Sequence, residues 1–152
     1  MTLTQFVDTR ANDHANYPYL TWTSDQCTGS PDEAHYTISG FAVPGPSSSA
    51  RSVLIYRACW RHDFNWRNLS RIEHFVDPNV DSWNQDAKDD SDALLEQDFR
   101  RLCDSIFPEP AWIAARNSCY IDAAAYELVV SNITHLWDVI PSPDIGPPER
   151  TE

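Results

Sequence analysis

The sequence predicts an all-α fold: a helical domain with long loops, stapled by disulfides. Three observations carry this. Apolar residues recur at helical spacing from about position 50 to 75, again from 91 to 107, and again from 111 to 137, as on the buried face of an amphipathic helix. Prolines, acids and turn formers gather between those stretches, at 23–32, 44–49, 76–90 and 108–110,. Four cysteines, Cys27, Cys59, Cys103 and Cys119, suit two disulfides in a chain this short, with three connectivities open,.

The elements follow in order. Residues 2–12 read as a short amphipathic helix with Leu3, Phe6 and Val7 on one side. A polar connection containing Pro18 leads to Leu20-Thr21-Trp22. The segment Thr23 to Asp32 is rich in turn formers and carboxylates and could wrap a hard cation. Residues 33–50 alternate weakly through Tyr36, Ile38, Phe41 and Val43, which suits a long surface loop with a short hairpin. The central helix starts near Ser49 or Ser52 and runs to about Ile72 or Phe75. An acidic connection spans 76–90. A second helix starts near Ser91-Asp92, and on its wheel Asp92, Leu95, Phe99, Leu102 and Cys103 share a face. Pro108 and Pro110 end it. A third long helix covers Ala111 to about Trp137. The domain is expected over 1–140, followed by a proline-rich flexible tail over 141–152.

Composition narrows the function. The 152 residues favour one domain, and 41% of them are apolar, enough for a packed core,. No apolar run approaches the ~20 residues of a membrane span. A net charge of −12 argues against a nucleic-acid partner,. Five arginines, Arg51, Arg57, Arg61, Arg67 and Arg71, nevertheless cluster where Asp63 is the only acid. Their guanidinium forks suit phosphate, or the protein's own carboxylates. Zinc does not fit, because the cysteines form no C-x2-C pair. Met1 to Phe6 has neither the basic start nor the apolar core of a signal peptide, so the chain is either cytosolic or a mature sequence carrying an added start.

The chemistry concentrates in Cys59-Trp60-Arg61-His62-Asp63-Phe64-Asn65-Trp66-Arg67-Asn68. Wound as a helix, this stretch places Ile55, Cys59, His62, Asp63 and Trp66 within an arc of roughly 100°. An imidazole and a carboxylate among apolar groups need a partner or a metal. Two more acids are candidates for the same place: Asp25 in the turn-rich loop, and Asp92 on the core face of the second helix. The plain alternative for Asp92 is a helix-start carboxylate, favourable there in any case.

Three motifs, in order, resemble the secreted phospholipases A2 of the prokaryotic and fungal type. The family's C-x-R-H-D-F-G-Y-R-N is similar to the stretch from Cys59 to Asn68. Its W-(S/T)-x-D-x-C-(S/T)-x-x-P-D is similar to Trp22 through Asp32. Its second-helix acid stands eleven residues before a half-cystine, as Asp92 stands before Cys103. Asn65 and Trp66 depart from the family's Gly and Tyr. The resemblance implies two long antiparallel catalytic helices, with His62 as general base and Asp92 orienting it. It implies a calcium ion held by the carboxylates of Asp25 and Asp63 and the backbone carbonyl of Gln26. It implies disulfides Cys27–Cys59 and Cys103–Cys119. The substrate would be the sn-2 ester of a phospholipid at a membrane or micelle surface, and the protein would be secreted; the oligomeric state is left open, with monomer the default. An acyl slot formed by Ile55, Phe64 and Trp66 is expected around His62. The competing class is a non-catalytic lipid- or receptor-binding protein on the same fold. The sequons at Asn68 and Asn132 fall in expected helices and are read as unused.

Overall fold

Thr2 caps the first helix. Its Oγ1 accepts from the Gln5 amide at 3.2 Å, while the Gln5 side chain accepts from the Thr2 amide at 2.8 Å. This reciprocal pair satisfies two N–H groups that the helix start leaves open. α1 (Leu3–Asp8) buries Leu3 and Phe6 and then widens into a π-helical stretch, Thr9–Asp13, before a 3-10 turn at His14–Asn16. The helix expected over 2–12 is thus six residues of α-helix and a wider coil.

The computed structural model describes residues 1–24, 27, 31–45, 47–76 and 85–137, with side chains except at 69–76, 85–88 and 133–137. The tail expected at 141–152 and the domain boundary expected at 140 lie outside the described residues.

The stretch read as a loop with a hairpin is a sheet. β1 (Ala34–Thr37) pairs antiparallel with β2 (Ala42–Val43) on one side and with β3 (Ala50–Val53) on the other. The all-α class is therefore corrected to a mostly helical fold with a small three-stranded sheet. Register explains the sheet. Ala34 faces Val53 and Tyr36 faces Arg51, so one face presents Tyr36 and Val53, both fully buried, to the helices. A strand alternates sides with a period of two, and four residues of such alternation are too few to stand out beside a helical pattern. Gly40 turns the β1–β2 hairpin with φ of +91°, and a Cβ there would meet the Ala114 carbonyl oxygen at 2.9 Å. Only glycine lets this turn lie against the next helix layer.

Three long helices follow: α2 (Tyr56–Val76), α3 (Gln85–Ile106) and α4 (Ile113–Trp137). β3 occupies the residues where the central helix was expected to begin. α3 starts six residues earlier than expected, at Gln85. Residues 85–90 of the acidic run read as a connection form its first turns, where the helix dipole favours carboxylates,. Asp92 accordingly sits in the third turn of α3, and the helix-start reading of this residue is overturned.

α3 packs against both α2 and α4, and β3 packs against α3. The core joins Tyr36, Val53 and Ile55 to Leu95, Phe99 and Phe107. Each such side chain contributes roughly 1.5–3 kcal/mol by leaving water. Tyr36 meets Phe107 edge-on at 5.7 Å. Its hydroxyl donates to Asp122 of α4 at 2.5 Å. Two disulfides staple the layers: Cys27–Cys59 ties the turn-rich segment to α2, and Cys103–Cys119 ties α3 to α4. The pairing is the one the family resemblance implied. Among the described residues no helix is long and apolar enough to cross a membrane.

Candidate active site

α2 carries His62 and Asp63 on adjacent positions, and α3 carries Asp92. The two helices meet at these residues: His62 Nε2 lies 2.7 Å from Asp92 Oδ1. Asp92 is 1% exposed. A carboxylate so deeply buried needs donors, and His62 supplies one. Trp66, one turn further along α2, supplies another, its Nε1–H donating to the same Oδ1 at 3.3 Å. The rings of His62 and Trp66 lie 5.7 Å apart. An ionised Asp92 can only accept, so the imidazole proton sits on Nε2 and the lone pair on Nδ1.

A second tie braces this contact. Arg61 reaches Asp98 of α3, with Nη1 at 3.1 Å from Oδ2. Its Nη2 donates to the Met1 carbonyl at 2.8 Å. Asp98, also 1% exposed, accepts from Arg101 at 2.8 Å as well. Arg51 donates to the Ile106 carbonyl at 2.7 Å and stacks over Trp112. Of the arginine cluster, Arg51 and Arg61 thus serve the protein's own acceptors. Arg67 contacts Thr23 Oγ1 at 3.4 Å. The Arg71 side chain lies outside the described residues.

Asn68 brings the turn-rich segment to the site. Its Oδ1 accepts from the Thr21 amide at 2.8 Å, and its Nδ2 donates to the Thr21 carbonyl at 2.9 Å and to the Phe64 carbonyl at 2.7 Å. A side-chain amide meeting a backbone amide in both directions works like one rung of a sheet. Three residues later, Ser24 Oγ donates to Asp63 Oδ2 at 2.5 Å. Phe64 packs against Trp22 and Phe6, with ring centres at 4.6 and 5.2 Å. Ile55 is 1% exposed. Of the expected acyl slot, Ile55 is a core residue, Phe64 is half-buried against Trp22 and Phe6, and Trp66 stands beside His62.

Asp25 and Gln26, two of the three expected calcium ligands, lie outside the described residues. Among the described residues no group of three or more His, Cys, Asp or Glu could hold a metal ion. Asp63 and Ser24 present oxygen atoms side by side, the donor type that calcium takes,. Arg10 lies on the same side. Its guanidinium carbon sits 4.0 Å over the Trp60 ring. Burial lowers its pKa, and the charge of Asp63 partly offsets this.

The family described as prokaryotic phospholipase A2 matches residues 1–134. The chain belongs to that family. Comparisons with curated proteins and with solved structures give no match. Within this phospholipase A2 family member, the structure brings together His62, Asp92 and Trp66 on one side of α2, and Asp63 and Ser24 beside them. The sequence reading missed Ser24, Arg10 and the structural use of Asn68. Only Asn68 carried a signal, as the last residue of the hallmark stretch.

Proposed function

We propose that this protein is a calcium-dependent phospholipase A2 that hydrolyses the sn-2 ester of glycerophospholipids. The observation that carries the reading is the 2.7 Å contact between His62 Nε2 and the buried Asp92 carboxylate. It leaves Nδ1 as a base for water. Imidazole takes up a proton near neutral pH. As water attacks the ester carbonyl, His62 accepts its proton at Nδ1. Asp92 holds the ring by Nε2–H and stabilises the positive charge that develops, as the acid of a catalytic triad does, with water in place of serine. Trp66 holds Asp92 from the other side. His62 then returns the proton to the departing glycerol oxygen.

Asp63, with Asp25 and the Gln26 carbonyl, would hold the calcium ion. An ion held there would supply Lewis-acid polarisation of the ester carbonyl and charge to offset the phosphate. The contacts of α2 with α3 run in opposite senses along the two helices: Arg61 meets Asp98, and Trp66 meets Asp92. That order supports the antiparallel catalytic pair of the family. Two disulfides suit an oxidising compartment, and support secretion.

The test is release of free fatty acid from phosphatidylcholine vesicles, with and without a calcium chelator. Fatty acid from the sn-2 position only, abolished by EGTA and restored by calcium, is the expected result. Full release in EGTA, or no release with calcium, overturns the reading.

A further inference from the structure

Among the described residues Arg10 has no ion pair, and its buried Nη1 has no hydrogen-bond partner. The guanidinium lies over the ring of Trp60, one helical turn before Asp63, and Trp60 in turn packs on Tyr56 at 4.6 Å. The backbone that carries Arg10 is π-helical, from Thr9 to Asp13, a wide coil found more often at functional sites than elsewhere. The Arg10 carbonyl is held by His14 Nδ1 at 2.9 Å. A structural arginine is normally paired, as Arg61 is with Asp98 in this same molecule. Arg10 instead keeps its charge uncommitted, near enough to Asp63 to feel that carboxylate.

We propose that Arg10 is a specificity residue for the phosphate of the substrate, acting together with calcium at Asp63. This rests on the calcium reading above. The electrostatics run in two directions. In the empty enzyme a fixed positive charge beside Asp63 repels a second cation, so Arg10 weakens calcium binding. A phosphodiester anion reverses the balance, because it is attracted to both cations. Arg10 therefore makes calcium and phosphate binding depend on each other, and that dependence is reciprocal. An enzyme so built holds calcium loosely until a phospholipid is present. It also disfavours neutral esters, which bring no anion to relieve the repulsion. Stacking on Trp60 holds the guanidinium in place through its face, leaving the charge unpaired.

The experiment is calcium titration by calorimetry on wild type, Arg10→Gln and Arg10→Lys, with circular dichroism to check folding. Each is titrated alone, with monomeric hexylphosphocholine, and with uncharged hexyl glucoside. Wild type should bind calcium more tightly in hexylphosphocholine than alone, and unchanged in hexyl glucoside. Arg10→Gln should bind calcium alone more tightly, on the order of three- to tenfold, and show a smaller gain from hexylphosphocholine, the part that calcium alone supplies. Arg10→Lys should keep part of that gain. A folded Arg10→Gln with wild-type calcium affinity and undiminished coupling overturns the proposal while the calcium reading stands. Weaker calcium binding in Arg10→Gln overturns it too, since Arg10 would then support the site. No calcium binding in wild type removes both.

Discussion

At His62 the nitrogen that meets Asp92 decides which nitrogen is left to work. Asp92→Asn keeps the shape and a hydrogen bond, but an amide can meet Nε2 equally well as a donor. The imidazole then loses both its fixed tautomer and the charge that stabilises its protonated form. Fatty-acid release should fall by about 10²–10⁴-fold, with the circular dichroism spectrum unchanged. Wild-type activity in Asp92→Asn would end its role in the site. Tyr36 offers a second test at this scale. Burial and the Asp122 carboxylate raise its pKa above the ordinary phenol range. The unfolded chain ionises this tyrosine near pH 10, and the folded one resists. The stabilisation is therefore complete below pH 10 and is lost as pH rises beyond it. Tyr36→Phe should cost about 1 kcal/mol at neutral pH by losing a hydrogen bond. It should also unfold less steeply between pH 10 and 12 than wild type, as followed by circular dichroism. An equal alkaline slope in both proteins would assign that slope to other groups.

Among the elements, α2 and α3 were legible because their chemistry repeats at helical spacing: Cys59, His62, Asp63 and Trp66 on one, Asp92, Phe99 and Cys103 on the other. Their ends were less so. β3 hides in Ala50–Val53 because strand alternation needs more than four residues to declare itself, and its pairing partners lie sixteen or so positions upstream. The early start of α3 hides in acids that read equally as a loop. Contacts across long sequence distance, such as Ser24 with Asp63 and Arg10 over Trp60, leave no local pattern at all. The disulfides divide by element. Each should stabilise by about 3–4 kcal/mol from loop closure. Cys27–Cys59 joins the turn-rich segment to α2 one turn before His62, whereas Cys103–Cys119 joins α3 to α4. Replacing the first pair by serine should weaken calcium binding, because the segment carrying Asp25 must then be ordered at the expense of binding energy. Replacing the second should lower the melting temperature and spare calcium affinity at low temperature. Equal weakening in both variants, measured by calcium titration, would contradict this division.

For the molecule as a whole, the hallmark stretch gave the family, and the small sheet was what composition could not announce. The same stretch ends in a residue whose use has a consequence for how the protein is made. Asn68 begins the tripeptide Asn68-Leu69-Ser70, an acceptor for N-linked sugar in eukaryotic secretion. In the fold it is 3% exposed and spends its amide on Thr21 and Phe64. Oligosaccharide is added to chains before they fold. A chain modified at Asn68 would lose these amide donors and carry a bulky polar group where Thr21 must dock. Secretion from yeast should therefore yield two populations: an active one unmodified at Asn68, and one glycosylated there that fails to fold. Ser70→Ala removes the acceptor without touching the amide, and should raise the yield of active enzyme from yeast while leaving yield from bacteria unchanged. Asn68→Asp removes it too but sacrifices the donor, and should gain nothing in either host. A fully active fraction whose sugar maps to Asn68 would show that the amide is dispensable. The secretory route chosen for this chain thus bears on how much of it reaches its native state.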